Sequence, residues 1–228
     1  MKPHNNSCVI LFAKSPTNGQ VKTRLAAEIG EDFTVGLYKR FVEDLISLVE
    51  NLDVHLELCF YPLHTRLNFS EWLGEQYCYT PQVGDNLGER LKNAFDSAFE
   101  EDFSKVVAIG SDSPDLPEEF LRLAFKELES HDAVIGPSSD GGYYLIGFSR
   151  TSFLPVAFDG IAWSTSAVCK QTVEILKRYK LKIYLLPEWY DVDTRSDLEK
   201  LIARNKDTAF VQSKTAAFIR NMEAGRIG

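Results

Sequence analysis

Four short stretches concentrate residues whose chemistry goes beyond packing. The first, "FAKSPTNGQVKTRL" (12–25), follows an apolar run and carries Lys14, Gly19, Lys22 and Arg24. Three cations in a loop between a strand and a helix can hold a diphosphate, because backbone N–H groups and a helix N-terminus there also favour anions. It is not a P-loop: that signature places glycine directly before the lysine, and here Val21 precedes Lys22. In "VVAIGSDSPDLP" an apolar run ends in Ser111 and Asp112, with Asp115 three residues on. A hard carboxylate in such a place suits Mg²⁺ or Mn²⁺ bridging to phosphate oxygens. An Asp-Ser-Pro turn is the structural alternative, and Asp115, just before "LPEEF", reads as a helix cap.

The third stretch, "YDVDTRSDL", spaces Asp191 and Asp193 by one residue, leaving both free to complete a metal site begun by Asp112. In the fourth, "GPSSDGGYYLIGF", Asp140, Gly141 and Gly142 stand between two strand-like runs. Asp-Gly is the strongest hairpin signal, yet two glycines and Tyr143 equally allow close backbone approach to a ligand with ring stacking. Trp163, in "GIAWSTS", reads as a core or lid aromatic at a helix start. Arg90 falls on the first turn of a helix, where a cation is favourable only beside an anion.

The elements that must position these residues are visible in the apolar pattern. Strand-like runs recur at 8–13, 55–61, 105–110, 132–137, 143–148 and 182–187. Helical stripes lie between most of them: one within Leu25 to Val49, one after Asn86 with a capping box to Glu89, and one after Pro117. Further helices are expected after Ser164, acting as a cap, and after Thr194 with Asp197. Strands alternating with helices imply a single α/β domain over 1–228, with a mostly parallel, doubly wound sheet. Residues 213–228 form a C-terminal helix or tail with Ala217, Phe218 and Met222 on its apolar face. Ligands of such sheets sit beyond the carboxyl ends of the strands, where the four stretches fall.

The totals narrow the partners. A formal charge of −8 over 228 residues argues against nucleic acid, which rewards an excess of lysine and arginine. Four scattered cysteines with no C-x-x-C argue against zinc and point to a reducing compartment, hence the cytoplasm. The opening "MKPHNNS" precedes too short an apolar stretch for a targeting segment or a membrane span.

Taken in order, "FAKSPTNGQVKTRL", "GDNLGERL", "AIGSDSPDLP", "PSSDGGYYLIGF", "GIAWST" and "DVDTRSDL" resemble the bacterial glycosyltransferase-A-like transferases over nearly the whole chain. That family is related to the phospholactate and molybdopterin guanylyltransferases. The resemblance implies the nucleotide-diphospho-sugar transferase (GT-A) fold, Mg²⁺ or Mn²⁺ as cofactor, and a nucleotide sugar or nucleoside triphosphate as substrate with a small-molecule acceptor. It implies that Lys22 and Arg24 bind nucleotide phosphates and that Asp112 and Asp193 hold the metal; from their own stretches, Lys14, Gly19, Arg90 and Ser111 join the phosphate-binding set and Asp191 the metal set. Lys22, Asp112 and Asp140 would carry catalysis, with Asp140, Gly141, Gly142, Tyr143 and Trp163 on the acceptor side. Two reactions stay open: glycosyl transfer from a nucleotide sugar, which is the expectation, and nucleotidyl transfer to a small phosphorylated acid. A module that binds nucleotide without turnover is the alternative of another class.

Overall fold

The computed structural model describes residues 6–225, with side chains as far as Asn221. The opening MKPHN and the side chain of Met222 lie outside the described residues.

Among the described residues, seven strands form one sheet: β1 (Ser7–Lys14), β2 (His55–Tyr61), β3 (Cys78–Pro81), β4 (Lys105–Ile109), β5 (Ala133–Pro137), β6 (Tyr143–Ser149) and β7 (Ile183–Leu185). Their order is β3-β2-β1-β4-β6-β5-β7, and β6 alone runs antiparallel to its neighbours. Among the described residues, eight α-helices flank the sheet: α1 (Thr23–Ile29), α2 (Glu31–Glu50), α3 (Arg66–Leu73), α4 (Leu87–Glu100), α5 (Glu118–Glu127), α6 (Val168–Arg178), α7 (Arg195–Asn205) and α8 (Lys214–Gly225). None is long and apolar enough to cross a membrane among the described residues.

Both faces of the sheet are covered, as continuous apolar strands require. Val9 and Leu11 of β1 face Val42 and Leu45 of α2 and Leu121 of α5. Cys8 and Ile10, on the opposite face, meet Phe95 of α4 and Leu176 of α6. Each fully buried leucine or phenylalanine contributes about 1.5–3 kcal/mol. A smaller cluster around Leu25, Phe41, Leu201 and Ile219 fastens α1, α7 and α8 onto α2.

Several local expectations need correction. The helical stripe within Leu25–Val49 breaks at Gly30, whose φ of 97° ends α1 before α2 begins. β3 carries no sequence signal, because its four residues lie at the sheet edge and are none of them buried. Ser164 does not cap a helix: its own φ is +63°, and α6 starts only at Val168 without a side-chain cap. Nor does Asp115 cap α5, where Pro117 holds the N-cap position; its carboxylate is used elsewhere. Asn86 accepts from the Glu89 N–H, but Glu89 returns to the Asp85 N–H rather than closing a box on Asn86. Thr194 and Asp197 form the full reciprocal box at the start of α7.

Candidate active site

A cleft of about 880 Å³ opens along the carboxyl edge of the sheet. Its position follows from the fold: all parallel strands point their C-terminal ends, and the loops behind them, to this one edge. Lys14, Lys22, Arg24, Arg90, Ser111, Asp112, Asp140, Gly142, Tyr143, Trp163, Asp191 and Asp193 all line it.

Lys22 is the centre of the charged end. Its side chain is only 3% exposed, and Nζ donates to Asp112 Oδ1 at 2.5 Å and Asp193 Oδ1 at 2.9 Å. Arg24 donates to the other oxygen of Asp193 at 2.5 Å. Burial alone would lower the Lys22 pKa; the two carboxylates outweigh it and hold the ammonium well above its ordinary value. Two backbone features bring these groups together. Lys22 adopts left-handed φ and ψ of 48° and 46° at the N-cap of α1. The Val192 N–H donates to the Asp112 carbonyl at 2.9 Å, which ties the loop after β4 to the segment carrying Asp191 and Asp193.

That segment is anchored on its other side as well. Trp189 N–H donates to Pro137 O, and Ser139 N–H to Trp189 O, both at 3.0 Å. Asp115, 1% exposed at its side chain, accepts from Arg204 Nε and Nη2 at 2.7 and 2.8 Å and from Asn205 Nδ2 at 2.6 Å. Trp189 Nε1 donates weakly to the same carboxylate at 3.4 Å. Asp115 is therefore a buried clamp between the β4 loop, α7 and the aspartate segment.

Asp112, Asp191 and Asp193 do not gather as one donor set. Asp191 is turned inward, accepting from Ser113 Oγ at 2.8 Å and Ser138 Oγ at 2.6 Å. Burial and then the nearby Asp112 charge push its carboxyl up to about 6, against the two serine hydrogen bonds. No group of three or more acidic, histidine or cysteine side chains converges among the described residues. What converges is the pair Asp112 and Asp193, around a position held by the Lys22 ammonium. Two hard oxygen donors at the charged end of this cleft are a fitting set for Mg²⁺ or Mn²⁺, which takes one or two carboxylates plus phosphates and waters.

The other expected residues divide in the same way. Ser111 is buried and paired with Tyr38 Oη at 2.9 Å, while Tyr38 also accepts from the Lys14 N–H. Burial, then the Asp112 charge, raises the Tyr38 phenol to about 12, which keeps it protonated beside the Ser111 hydroxyl. The Arg90 guanidinium lies over the Tyr61 ring, 4.0 Å from its centre, and donates through Nε to Gly84 O at 2.9 Å. Gly19 and Gly141 are not on the cleft wall. Both sit at turns with positive φ, and Gly141 passes the backbone of Ser166 too closely for any Cβ. Asp140 closes the β5–β6 turn by accepting from the Gly142 N–H at 2.8 Å, so the turn is a hairpin and a cleft wall at once. Tyr143 and Trp163 meet edge to face with centres 6.5 Å apart.

Sequence reasoning missed Tyr38 and Gln82. Tyr38 falls in the apolar stripe of α2 and looks like core. Gln82 follows the unpredicted β3; its amide donates to Ala13 O and Cys59 O, placing a polar side chain on the cleft floor.

Sheet order, helical cover and a cleft at the strand ends define the nucleotide-diphospho-sugar transferase fold. A protein of Desulfovibrio desulfuricans G20, provisionally assigned as a nucleotide-diphospho-sugar transferase, is 42% identical, with 96% of each chain covered and a TM-score of 0.93. The chain belongs to the family described as uncharacterized protein conserved in bacteria (DUF2064), matched over residues 45–165. It is also 25% identical over 190 residues to the 2-phospho-L-lactate guanylyltransferase of Methanocaldococcus infernus, covering 82% of this chain and 81% of that one. The molybdopterin-guanine dinucleotide biosynthesis protein A of Archaeoglobus fulgidus shares the fold at a TM-score of 0.52 and 13% identity, with 89% and 100% covered. The relatives are transferases, and a nucleotidyltransferase is among them.

Proposed function

We propose that the protein is a nucleotidyltransferase that joins a nucleoside monophosphate from a triphosphate to a small phosphorylated acid, releasing pyrophosphate. The observation that carries the reading is the Asp112–Lys22–Asp193 cluster, flanked by Arg24, at one end of a cleft large enough for a nucleotide. Similarity to the guanylyltransferase of M. infernus favours this reaction over glycosyl transfer.

A Mg²⁺ or Mn²⁺ ion held by Asp112 and Asp193 would neutralise charge on the phosphates. Lys22 and Arg24 supply positive charge to the departing pyrophosphate, which is where charge develops as the bond from the α-phosphorus to its bridging oxygen breaks. Lys14 and Arg90 line the path of the nucleotide. Asp140, Gly142, Tyr143 and Trp163 form the wall that receives the acceptor. The acceptor's own phosphate oxygen forms the new bond to the α-phosphorus, so the enzyme needs no covalent nucleophile; Ser111, paired with a high-pKa phenol, is not set up as one. Transfer of a sugar from a nucleotide sugar is the second reading, supported by the similarity to the D. desulfuricans protein.

Incubation with each nucleoside triphosphate, Mg²⁺ or Mn²⁺ and pooled small phosphorylated acids, followed by chromatography, separates the outcomes. Pyrophosphate release that Asp112→Asn abolishes supports nucleotidyl transfer. Nucleoside diphosphate released from a nucleotide sugar would transfer the assignment to glycosyl chemistry. Binding without either product would leave a non-catalytic nucleotide-binding module.

A further inference from the structure

The placement of Lys22 has a consequence for how ligands enter. Its ammonium is almost wholly buried, whereas the two carboxylates it bridges are open to the cleft, Asp112 at 48% and Asp193 at 31% side-chain exposure. A ligand arriving from solvent meets the carboxylates first and the lysine behind them. The lysine also sits on a left-handed backbone, a conformation that L residues adopt at a cost and that clusters at functional sites.

We infer that Lys22 is a resident counter-ion of the metal position, pairing with Asp112 and Asp193 until a divalent cation and a polyphosphate arrive together and it changes partners from carboxylate to phosphate. The inference rests on the metal site proposed above. A free divalent ion must displace an ammonium making two short ion pairs. A free polyphosphate faces two exposed carboxylates with Lys22 behind them, and the open cation beside them, Arg24, is already paired with Asp193. Each ligand removes the obstacle to the other: the cation takes the carboxylates, and the phosphates give the released ammonium, with its three donors, new acceptors. Metal and nucleotide affinities are then coupled, and by linkage the coupling is reciprocal.

The test is a titration of the metal-free protein with Mn²⁺ alone, followed by the electron paramagnetic resonance signal of free Mn²⁺. In Lys22→Met, Asp112 loses its ammonium partner and Asp193 keeps only Arg24, so the pair should bind Mn²⁺ at least ten-fold more tightly than in the parent, while Lys22→Arg, which keeps the charge, should bind as weakly as the parent. Equal or weaker binding by Lys22→Met overturns the inference. A parallel melt of the parent with Mn²⁺ plus an equimolar mixture of the four ribonucleoside triphosphates separates this failure from that of the metal site. A melt that rises while Lys22→Met binds Mn²⁺ no better than the parent sinks only the counter-ion role; no rise sinks the metal site and the counter-ion role with it. Should Lys22→Met not fold, acylation of the parent's lysines read by mass spectrometry decides. Lys22 should be unreactive in metal-free protein and become reactive with saturating Mg²⁺ alone, and constant protection overturns the counter-ion role.

Discussion

Replacing Asp115 by alanine tests whether the segment carrying Asp191 and Asp193 is held from behind. The carboxylate is 1% exposed and receives four N–H groups: two from Arg204, one from Asn205 and a long one from Trp189. Removing one partner of a buried ion pair costs about 3–5 kcal/mol, because the other charge is left without compensation. Two features put the expected loss in the lower half of that range. Arg204 is 22% exposed and lies over the Trp189 and Tyr190 rings, so water and π-faces recover part of the loss. Asn205 keeps its bond to Leu201 O at 2.9 Å. The expected loss is about 3–4 kcal/mol, which for a chain of this size is about 6–16 °C in Tm. Urea denaturation and calorimetry measure it, and Arg204→Ala added to Asp115→Ala should cost little more, since the pair is already broken. A loss under about 1 kcal/mol, or full additivity of the two substitutions, would refute the clamp.

Two further outcomes are expected. Glu57, on β2, has one carboxylate oxygen buried without a partner, and burial raises its pKa above 4.5, partly offset by the hydrogen bond from Thr80 Oγ1. The folded state therefore binds this proton more tightly than the unfolded chain, so stability falls as pH rises from about 4.5 through the raised value. Glu57→Gln should flatten that slope and add about 1 kcal/mol at pH 7; an unchanged pH profile in urea melts would exclude the carboxyl as its source. Gly88 of α4 has no room for a side chain, as a Cβ there would stand 2.7 Å from Phe158 O and 2.8 Å from the Trp163 ring. Gly88→Ala should cost about 1–3 kcal/mol by overpacking and shift the Trp163 fluorescence. Unchanged emission and stability together would show that Trp163 is not seated against α4.

Much of the molecule is written in local pattern. Continuous apolar runs such as Cys8–Phe12 mark strands buried on both faces, and the stripe of α4 marks a helix, because burial periodicity needs only neighbours in sequence. The alternation of the two forces a doubly wound sheet, and that topology sends the loops with Lys22, Asp112, Asp140 and Asp193 to one edge. What those side chains do there was not legible. Lys22 meets Asp193 across 171 residues, and Asp115 meets Arg204 across 89, so no local pattern distinguishes a phosphate ligand from a counter-ion, or a helix cap from a clamp. Asp191 and Asp193 look equivalent as D-x-D, yet the serines of two other loops draw one inward while Lys22 and Arg24 hold the other at the cleft. Sequence determined which groups reach the site, since that depends on the order of strands and helices along the chain. Tertiary structure decided which charge faces which, since partner choice is settled by distances of a few ångströms between segments that only the finished sheet brings together.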